Sequence, residues 1–573
     1  MSDCSLTPAD PGFSVSSFLQ TPFLTDMYQL TMCYAYWRGG IHNKKAAFEL
    51  FFRKCPFKGE YAIFAGLDTV LRFLEKFHFS DSDIEYLKTI IPHAEPEFFE
   101  YVKGIDGSCL KVYSLREGTM CFPSVPLLRV EGPLAVAQLV ETTLLNIIGF
   151  PTLVATNAAR MRHVAGPEKT LLEFGLRRAQ GPDGGMSASV YAIMGGFDKT
   201  SNVLAGKLFG LELSGTHAHA FVMSYQNMKD VKNRKLRRNI KKEIASSSSS
   251  SSSSSCPSLE ESISSEAEEV DFVELVLSIK SRLGIDGTQE GELAAFTAYA
   301  ISFPNGFCAL VDTYNTLKSG VPNFICVSVA LVECGYEPGS VRLDSGDLAY
   351  LSIKSKEMFR EYAEKANCEK LKEAQVVASN DINETTIVAL NEQHHQIDVF
   401  GIGTNLVTCQ GQPSLGCVYK LVELEGSPRI KLSDEMGKTT LPSRKVAFRL
   451  HSSDDRPLLD ILVRVEADDT FKAPQSGEKV LCRHPFVESK RCYVIPERVE
   501  QLHSCVWDGR CLMEKRYSCV EIRDYVNAQM NAQREDRLRI INPTPYKVSL
   551  TQDLFEHTHE LMMECMPIPV LEM

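Results

Sequence analysis

Two histidines stand two positions apart in LSGTHAHAF, Leu213 to Phe221, just after a short apolar run and a Gly-Thr turn. A neutral imidazole nitrogen can attack a phosphoryl group, and a ring at a buried strand end is costly unless it has such work. His219 and His217 therefore open the list of candidates. RLDSGD, Arg342 to Asp347, sets a cation and two carboxylates around a glycine turn. Arg342 suits a bidentate grip on a carboxylate or phosphate. Asp344 suits ribose hydroxyls or Mg2+, while an N-cap at Asp344 or Ser345 is the compatible structural reading. In GIGTN, Gly401 to Asn405, the glycines Gly401 and Gly403 would turn backbone N–H groups inward as an anion nest ahead of Thr404 and a helix N-terminus. A plain strand-to-helix turn is the competing reading, and without a third glycine the stretch is neither a dinucleotide fingerprint nor a P-loop. FGLRRAQGPDGG adds the aromatic Phe174, the pair Arg177–Arg178 and a glycine-rich loop. Such arginines suit an anionic substrate or surface ion pairs. Asp312, ending CALVD, is a candidate metal or hydroxyl ligand.

These residues share a position. Each follows a short apolar run and precedes a helical pattern: LLEFGLRR, LELSGTHAH, CALVDTYNT, SVRLDSGD, AQVVASND and QIDVFGIGTN. Helix-length stretches such as LAYLSIKSKEMFREYAEKA lie between them. The alternation predicts βα units and a parallel sheet, in an irregular α/β barrel whose chemistry sits at the carboxyl ends of the strands. An open doubly wound sheet is the alternative. The expected organisation is a mixed α/β region at 1–160, the barrel at 161–430, and a strand-rich then helical region at 431–573. That last region would complete a sandwich or form a small third domain. A disordered insertion is expected at about 229–268. It holds the basic run KDVKNRKLRRNIKK, ten serines at Ser246–Ser255 and the acidic SLEESISSEAEEVDF. Poly-Ser buries no apolar area, and the charge blocks read as a solvated loop between two helices.

A formal net charge of -12 disfavours general nucleic-acid binding. It also requires any anionic substrate to be met by local arginines, backbone N–H groups or a metal. The 18 cysteines show no C-x-x-C spacing and, with no secretory signal, read as reduced thiols in the cytosol. No run of about 18 apolar residues stands out, because LLNIIGFPTLVA is broken by Asn146, Gly149 and Pro151, so no membrane span is expected. HTHELMME, the zone Cys482–Cys519 and His394–His395 lack metal-ligand spacing and read as structural.

TDMYQLTM, EFGLRRAQGPDGG, GGFDKTSNVLAGKLFG, GTHAHAF, VDTYNT, RLDSGDL and FGIGTNL together resemble nicotinate phosphoribosyltransferases, in order, over most of the chain. The resemblance implies a type II phosphoribosyltransferase. That means an irregular α/β barrel, an α/β sandwich built from the terminal segments, and a homodimer with shared active sites. It implies nicotinate and 5-phosphoribosyl 1-pyrophosphate as substrates, ATP as coupled co-substrate and Mg2+ or Mn2+ as metal. His219 matches the histidine that is transiently phosphorylated, whereas His217 takes a place that need not be histidine. Tyr28 and Phe174 resemble the aromatic groups that sandwich the nicotinate ring, Tyr28 from either subunit. Thr216 and Arg342 resemble the groups that meet the nicotinate. Arg177 and Thr404, with Gly401 and Gly403, resemble the phosphate and pyrophosphate contacts. Asp312 and Asp344 match the ribose and metal side. A nicotinamide-type relative would place an acidic residue in the Gly-Thr turn, where His217 and Ala218 stand here.

Overall fold

The computed structural model describes residues 21–239 and 268–566. Two compact units emerge from interleaved segments. One comprises Met1–Pro167, Glu173–Leu213 and Gly403–Met573, and the other Glu168–Leu172 and Ser214–Ile402. This division crosses the expected consecutive blocks, because Glu173–Leu213 and the chain from Gly403 onward group with the terminal segments.

The second unit is built on parallel strands, Cys308–Leu310, Ser340–Leu343, Gln375–Ser379 and Val399–Ile402, lying side by side in chain order. Thr170–Glu173 continues the row beyond Val399–Ile402. The crossovers are the helices Val321–Glu333, Leu348–Ala366 and Glu384–Glu392. Strands buried on both faces should read as continuous apolar runs, and Val341, Val376, Ala378 and Phe400 are all fully buried. The strand order is open rather than a closed ring, so the α/β class holds while the barrel is a half-barrel. The register places Leu310 beside Arg342, Arg342 beside Val377, and Ser379 beside Gly401, which aligns the strand ends.

LELSGTHAH is not a strand. Leu213 makes an isolated bridge to Thr200, and the chain then runs irregularly to the short helix His219–Met223. The polar Ser214, Gly215 and Thr216 offer no alternating apolar face to a neighbour.

The first unit holds two six-stranded sheets. In one, Lys45–Phe52 pairs antiparallel with Leu128–Pro133 on one side and Cys417–Leu424 on the other. In the other, Lys445–His451 and Pro457–Arg464 pair antiparallel, and Val548–Leu550 runs parallel beside Pro457–Arg464. Their apolar faces form a core of Val446, Phe448, Leu450, Leu459 and Ile461. The terminal segments are joined by buried polar contacts. Lys445 lies 3.0 Å from Glu49, and Arg129 donates to the Lys445 carbonyl at 2.7 Å.

The helices spanning Leu134–Ala165 are, contrary to the sequence expectation, long and apolar enough to cross a membrane by length and composition. Pro151 lies within the helix Glu141–Ala165 without ending it. Two-thirds of that apolar window is buried inside the protein, and the helix behaves as a core helix. Its hydroxyls complete a neighbouring backbone: Ile63 donates to Thr156 at 2.8 Å and Ala65 to Thr152 at 3.1 Å.

The insertion also differs from expectation. The serine run Ser246–Ser255 lies outside the described residues. The basic arm, however, is ordered up to Asn239: Lys235–Arg237 pairs antiparallel with Glu269–Asp271. Arg234 meets Asp271 at 2.9 Å, Lys235 meets Glu269 at 3.2 Å and Arg238 meets Glu268 at 3.3 Å. The charge blocks are therefore complementary rungs of one two-stranded ladder, which the one-dimensional charge pattern does not reveal.

Candidate active site

Arg342 is central to the second unit. The parallel register aims it out of the strand Ser340–Leu343, where its side chain retains 15% of its surface. It donates from Nε to Ser379 Oγ at 2.9 Å, from Nη1 to Thr216 Oγ1 at 3.0 Å and from Nη2 to Asp344 Oδ1 at 3.2 Å. The Ser379 hydroxyl in turn donates to Asp344. Two strand ends and the Gly-Thr turn thus fix one planar guanidinium. That rigid fork is the arrangement that recognises carboxylate or phosphate oxygens.

Asp312 lies beneath this cluster at 2% side-chain exposure. Its Oδ2 accepts from the Asp344 backbone N–H at 3.1 Å and from the Ser345 hydroxyl at 2.5 Å, while its buried Oδ1 has no hydrogen-bond partner. The N-cap of the following helix is Asp347, which accepts from the Tyr350 N–H, so neither Asp344 nor Ser345 is used for capping.

His219 is the first residue of its short helix and not a strand-end loop residue. Its side chain is 41% exposed, Nδ1 is 3.0 Å from Thr313 Oγ1, and Nε2 is 4.0 Å from Asp312 Oδ1. A ring held this way can present a nitrogen to an electrophilic phosphorus, with the Asp312 carboxylate beside it. His217 is different. It is buried against Phe221, Phe296 and Tyr299, with ring centroids 5.3, 6.0 and 4.9 Å away, and its Nε2 accepts from the Leu310 N–H at 3.4 Å. Burial first, with Arg342 and His219 nearby, pushes its pKa down to about 4 against a backbone hydrogen bond that opposes the shift.

Behind Asp312 lies a carboxyl that the motifs do not show. Glu292, on the helix Glu290–Ser302, is fully buried and accepts from Ser319 at 2.6 Å and Asn323 at 2.9 Å. Burial, with a smaller contribution from the Asp312 charge, pushes its pKa up to about 7 against those two hydrogen bonds.

Phe174, Arg177, Gly403 and Thr404 belong to the first unit. The loop after Glu173 and the Gly403–Val407 turn touch closely: a Cβ on Gly403 would meet the Phe174 carbonyl at 3.1 Å, and one on Gly175 would meet Val407 at 2.2 Å. Buried Glu173 holds its own loop, accepting from Ser189 at 2.8 Å and Thr200 at 2.5 Å and also from the Gly175 N–H. Asn157 donates to the Asn405 carbonyl at 2.9 Å. The anion nest does not form. Gly401 is buried inside its strand opposite Ser379, neither glycine has positive φ, and Gly403 caps a four-residue helix that begins with Thr404. The plain strand-to-helix turn is what the structure contains. Arg177 is exposed in the turn Leu176–Arg178, and Tyr28 is 47% exposed on the helix Met27–Arg38.

Ser379, Thr313, Glu292, Glu173 and Asn157 received no role from the sequence. Ser379 shares the strand-end position of the residues that did, which was the available signal. Glu173 and Thr313 lie in the same kind of stretch, LLEFGLRR and CALVDTYNT, whereas Glu292 and Asn157 are reached through tertiary packing alone.

The parallel α/β sheet carries an arginine and two aspartates at its strand ends with a histidine beside them, and the comparisons make the chain a transferase of the α/β class. At the level of fold alone it is similar to the crystal structure of nicotinate-nucleotide pyrophosphorylase from Pyrococcus furiosus, with TM-score 0.56 and 19% identity over 89% of this chain and 94% of that one. Residues 23–149, 339–472 and 444–558 match the nicotinate phosphoribosyltransferase N-terminal domain, family and C-terminal domain respectively. A nicotinate phosphoribosyltransferase of Dictyostelium discoideum is 49% identical over 552 residues, 96% of this chain and 89% of its own. The crystal structure of human nicotinic acid phosphoribosyltransferase matches with TM-score 0.79 and 39% identity, covering 94% of this chain and all of that one. The chain belongs to the nicotinate phosphoribosyltransferase family.

Proposed function

We propose that this protein joins nicotinate to C1 of 5-phosphoribosyl 1-pyrophosphate, giving nicotinate mononucleotide and pyrophosphate as the first step of NAD synthesis from nicotinate. The observation that carries the reading is the fixed Arg342 fork with Thr216 at 3.0 Å. A carboxylate substituent on a pyridine ring is met by a cation and a hydroxyl. The turn at Thr216–Ala218 offers no carboxylate to accept an amide N–H, and Asp344 Oδ1 is already engaged by Arg342 and Ser379. In the transfer the ring nitrogen of nicotinate bonds to C1 while the C1–oxygen bond breaks, and pyrophosphate leaves with the electron pair. Positioning and neutralisation of the leaving group supply most of the rate.

ATP coupling through His219 belongs to the same proposal. The γ-phosphoryl group passes from ATP to a His219 nitrogen, with ADP leaving as the β–γ bond breaks, and the N–P bond is later hydrolysed to release phosphate and regenerate the ring. Among the described residues no three His, Cys, Asp or Glu side chains could hold a metal by themselves. Asp312 and Asp344 are two neighbouring carboxylates that would leave the remaining positions to substrate oxygens and water, as Mg2+ prefers. The donor set fits Mg2+ or Mn2+ arriving with a phosphate-bearing substrate, and the ion would neutralise the departing pyrophosphate. A homodimer with shared sites belongs to the same proposal, with Tyr28, whose ring is 47% exposed, as the residue a partner would contribute. Reduced thiols, with all 16 described cysteines free, accord with a cytosolic enzyme.

The test is product formation by purified protein with 5-phosphoribosyl 1-pyrophosphate, Mg2+ and either nicotinate or nicotinamide, with and without ATP. Nicotinate should be favoured at least ~10²-fold in kcat/KM, the scale of a lost charged contact in a buried polar site. Comparable values for the two substrates would overturn the assignment.

A further inference from the structure

We propose that Cys482 and Cys492 form a redox modification site, closing reversibly into a cross-strand disulfide when the folded protein meets a small-molecule disulfide. The two cysteines face each other across the antiparallel strands Val480–Arg483 and Arg491–Val494. In the same register the His484 N–H donates to the Lys490 carbonyl at 2.9 Å. Counting back two residues on each strand makes Cys482 and Cys492 a hydrogen-bonded pair, with Cα atoms about 5.5 Å apart. That falls within the separation a disulfide spans, roughly 4.4–6.8 Å.

The surroundings favour a bond that forms and breaks over a permanent staple. At a hydrogen-bonded pair the Cβ atoms stand about 5 Å apart, wider than the roughly 3.5–4.5 Å of a relaxed disulfide. Closing the bond pulls the strands together and stores strain, which makes it easier to reduce. Arg491–Val494 is the edge strand of its sheet, so it can shift without dragging a further strand. The cysteines also differ in access. Cys492 is exposed, while Cys482 is 1% exposed and burial pushes its thiol up to about 12.

The order of events follows. With oxidised glutathione, the Cys492 thiolate attacks one sulfur and expels one glutathione thiolate. The Cys482 thiolate then attacks Cys492 Sγ in the mixed disulfide and expels the second. Two protons and two electrons leave the protein, and the oxidant departs as two thiols.

The experiment treats the full-length native protein with oxidised glutathione, alkylates the remaining thiols and maps the peptides by mass. The expected result is a peptide linking Cys482 to Cys492, two hydrogens lighter than the free pair and restored by dithiothreitol. Cys482→Ser should stop at one glutathione held on Cys492. Cys492→Ser should leave Cys482 unmodified, with circular dichroism confirming that both variants fold. A stable glutathione adduct on Cys492 in the unaltered protein, a Cys482 link to another cysteine, or no reaction at either residue would overturn the proposal.

Discussion

His219 and His217 are separated by one alanine, yet one ring is exposed beside Asp312 and the other is packed among three aromatic rings. If His219 carries the phosphoryl group, His219→Ala should abolish acid-labile, alkali-stable label from γ-labelled ATP. Slow ATP-independent nucleotide synthesis should survive, because ribose transfer rests on positioning. His217→Ala should keep the label and lose about 1–2 kcal/mol of stability with the packed ring. Label surviving in His219→Ala but vanishing in His217→Ala would reverse the roles. Glu292 gives a second prediction. Its pKa is raised to about 7, so the fold favours the protonated form. That contribution is fully present below the ordinary carboxylate pKa of about 4.5, and it is lost as pH rises towards about 7. Glu292→Gln removes the titration. From about pH 5 to about pH 8 the unaltered protein should lose up to about 3 kcal/mol relative to Glu292→Gln in urea denaturation. A constant difference would mean that the carboxyl is already ionised at the lower pH. At this scale the sequence showed the strand-end polar residues, because Arg342, Asp344, Asp312 and Thr216 each follow a recognisable apolar run or turn. Glu292 was hidden because it lies within a helix and reaches Ser319 and Asn323 only after the chain folds.

The strand pair Lys235–Arg237 with Glu269–Asp271 shows how an element can be missed. Each strand is three residues long, and each looks like a charge block. The parallel strands were legible because continuous apolar runs ending in polar residues have few other uses. How far they curl towards a ring was not, since that depends on strand tilt and neighbour order. The ladder changes what an excision should remove. The Arg238 N–H donates to the Glu268 carbonyl at 3.0 Å, so the two chain ends already meet. Replacing 241–266 with a short glycine-serine turn should move the melting temperature by no more than about 2 °C and leave activity intact, because lengthening a closed loop costs little. Extending the cut to Asn233 removes the ladder and should destabilise the protein measurably. Equal melting temperatures for the two deletions would show that the ladder contributes nothing.

At the scale of the molecule, the proposed sharing of sites between two copies makes a mixing prediction. Tyr28→Ala and His219→Ala subunits should each lack ATP-coupled activity. Co-expressed at equal amounts, half of random dimers are mixed and each keeps one intact site, so about a quarter of normal activity should return. No recovery would place Tyr28 and His219 in the same subunit's site, and full activity of Tyr28→Ala alone would place Tyr28 outside it. Domain order was the least legible level, because a unit assembled from three separated segments leaves no boundary in the chain. Its second sheet carries a timing consequence. Val548–Leu550 lies in the sheet interior, between Val480–Arg483 and Pro457–Arg464. During synthesis the chain 214–402 is complete long before that strand emerges from the ribosome. The first unit must wait with an open slot in its sheet, and that slot is an unpaired edge of the kind that recruits other chains. A stop codon shortly before Val548 would therefore give a protein whose second unit is intact in sequence but in whose first unit the second sheet cannot close, and its fate should be capture by chaperones or aggregation rather than reduced catalysis.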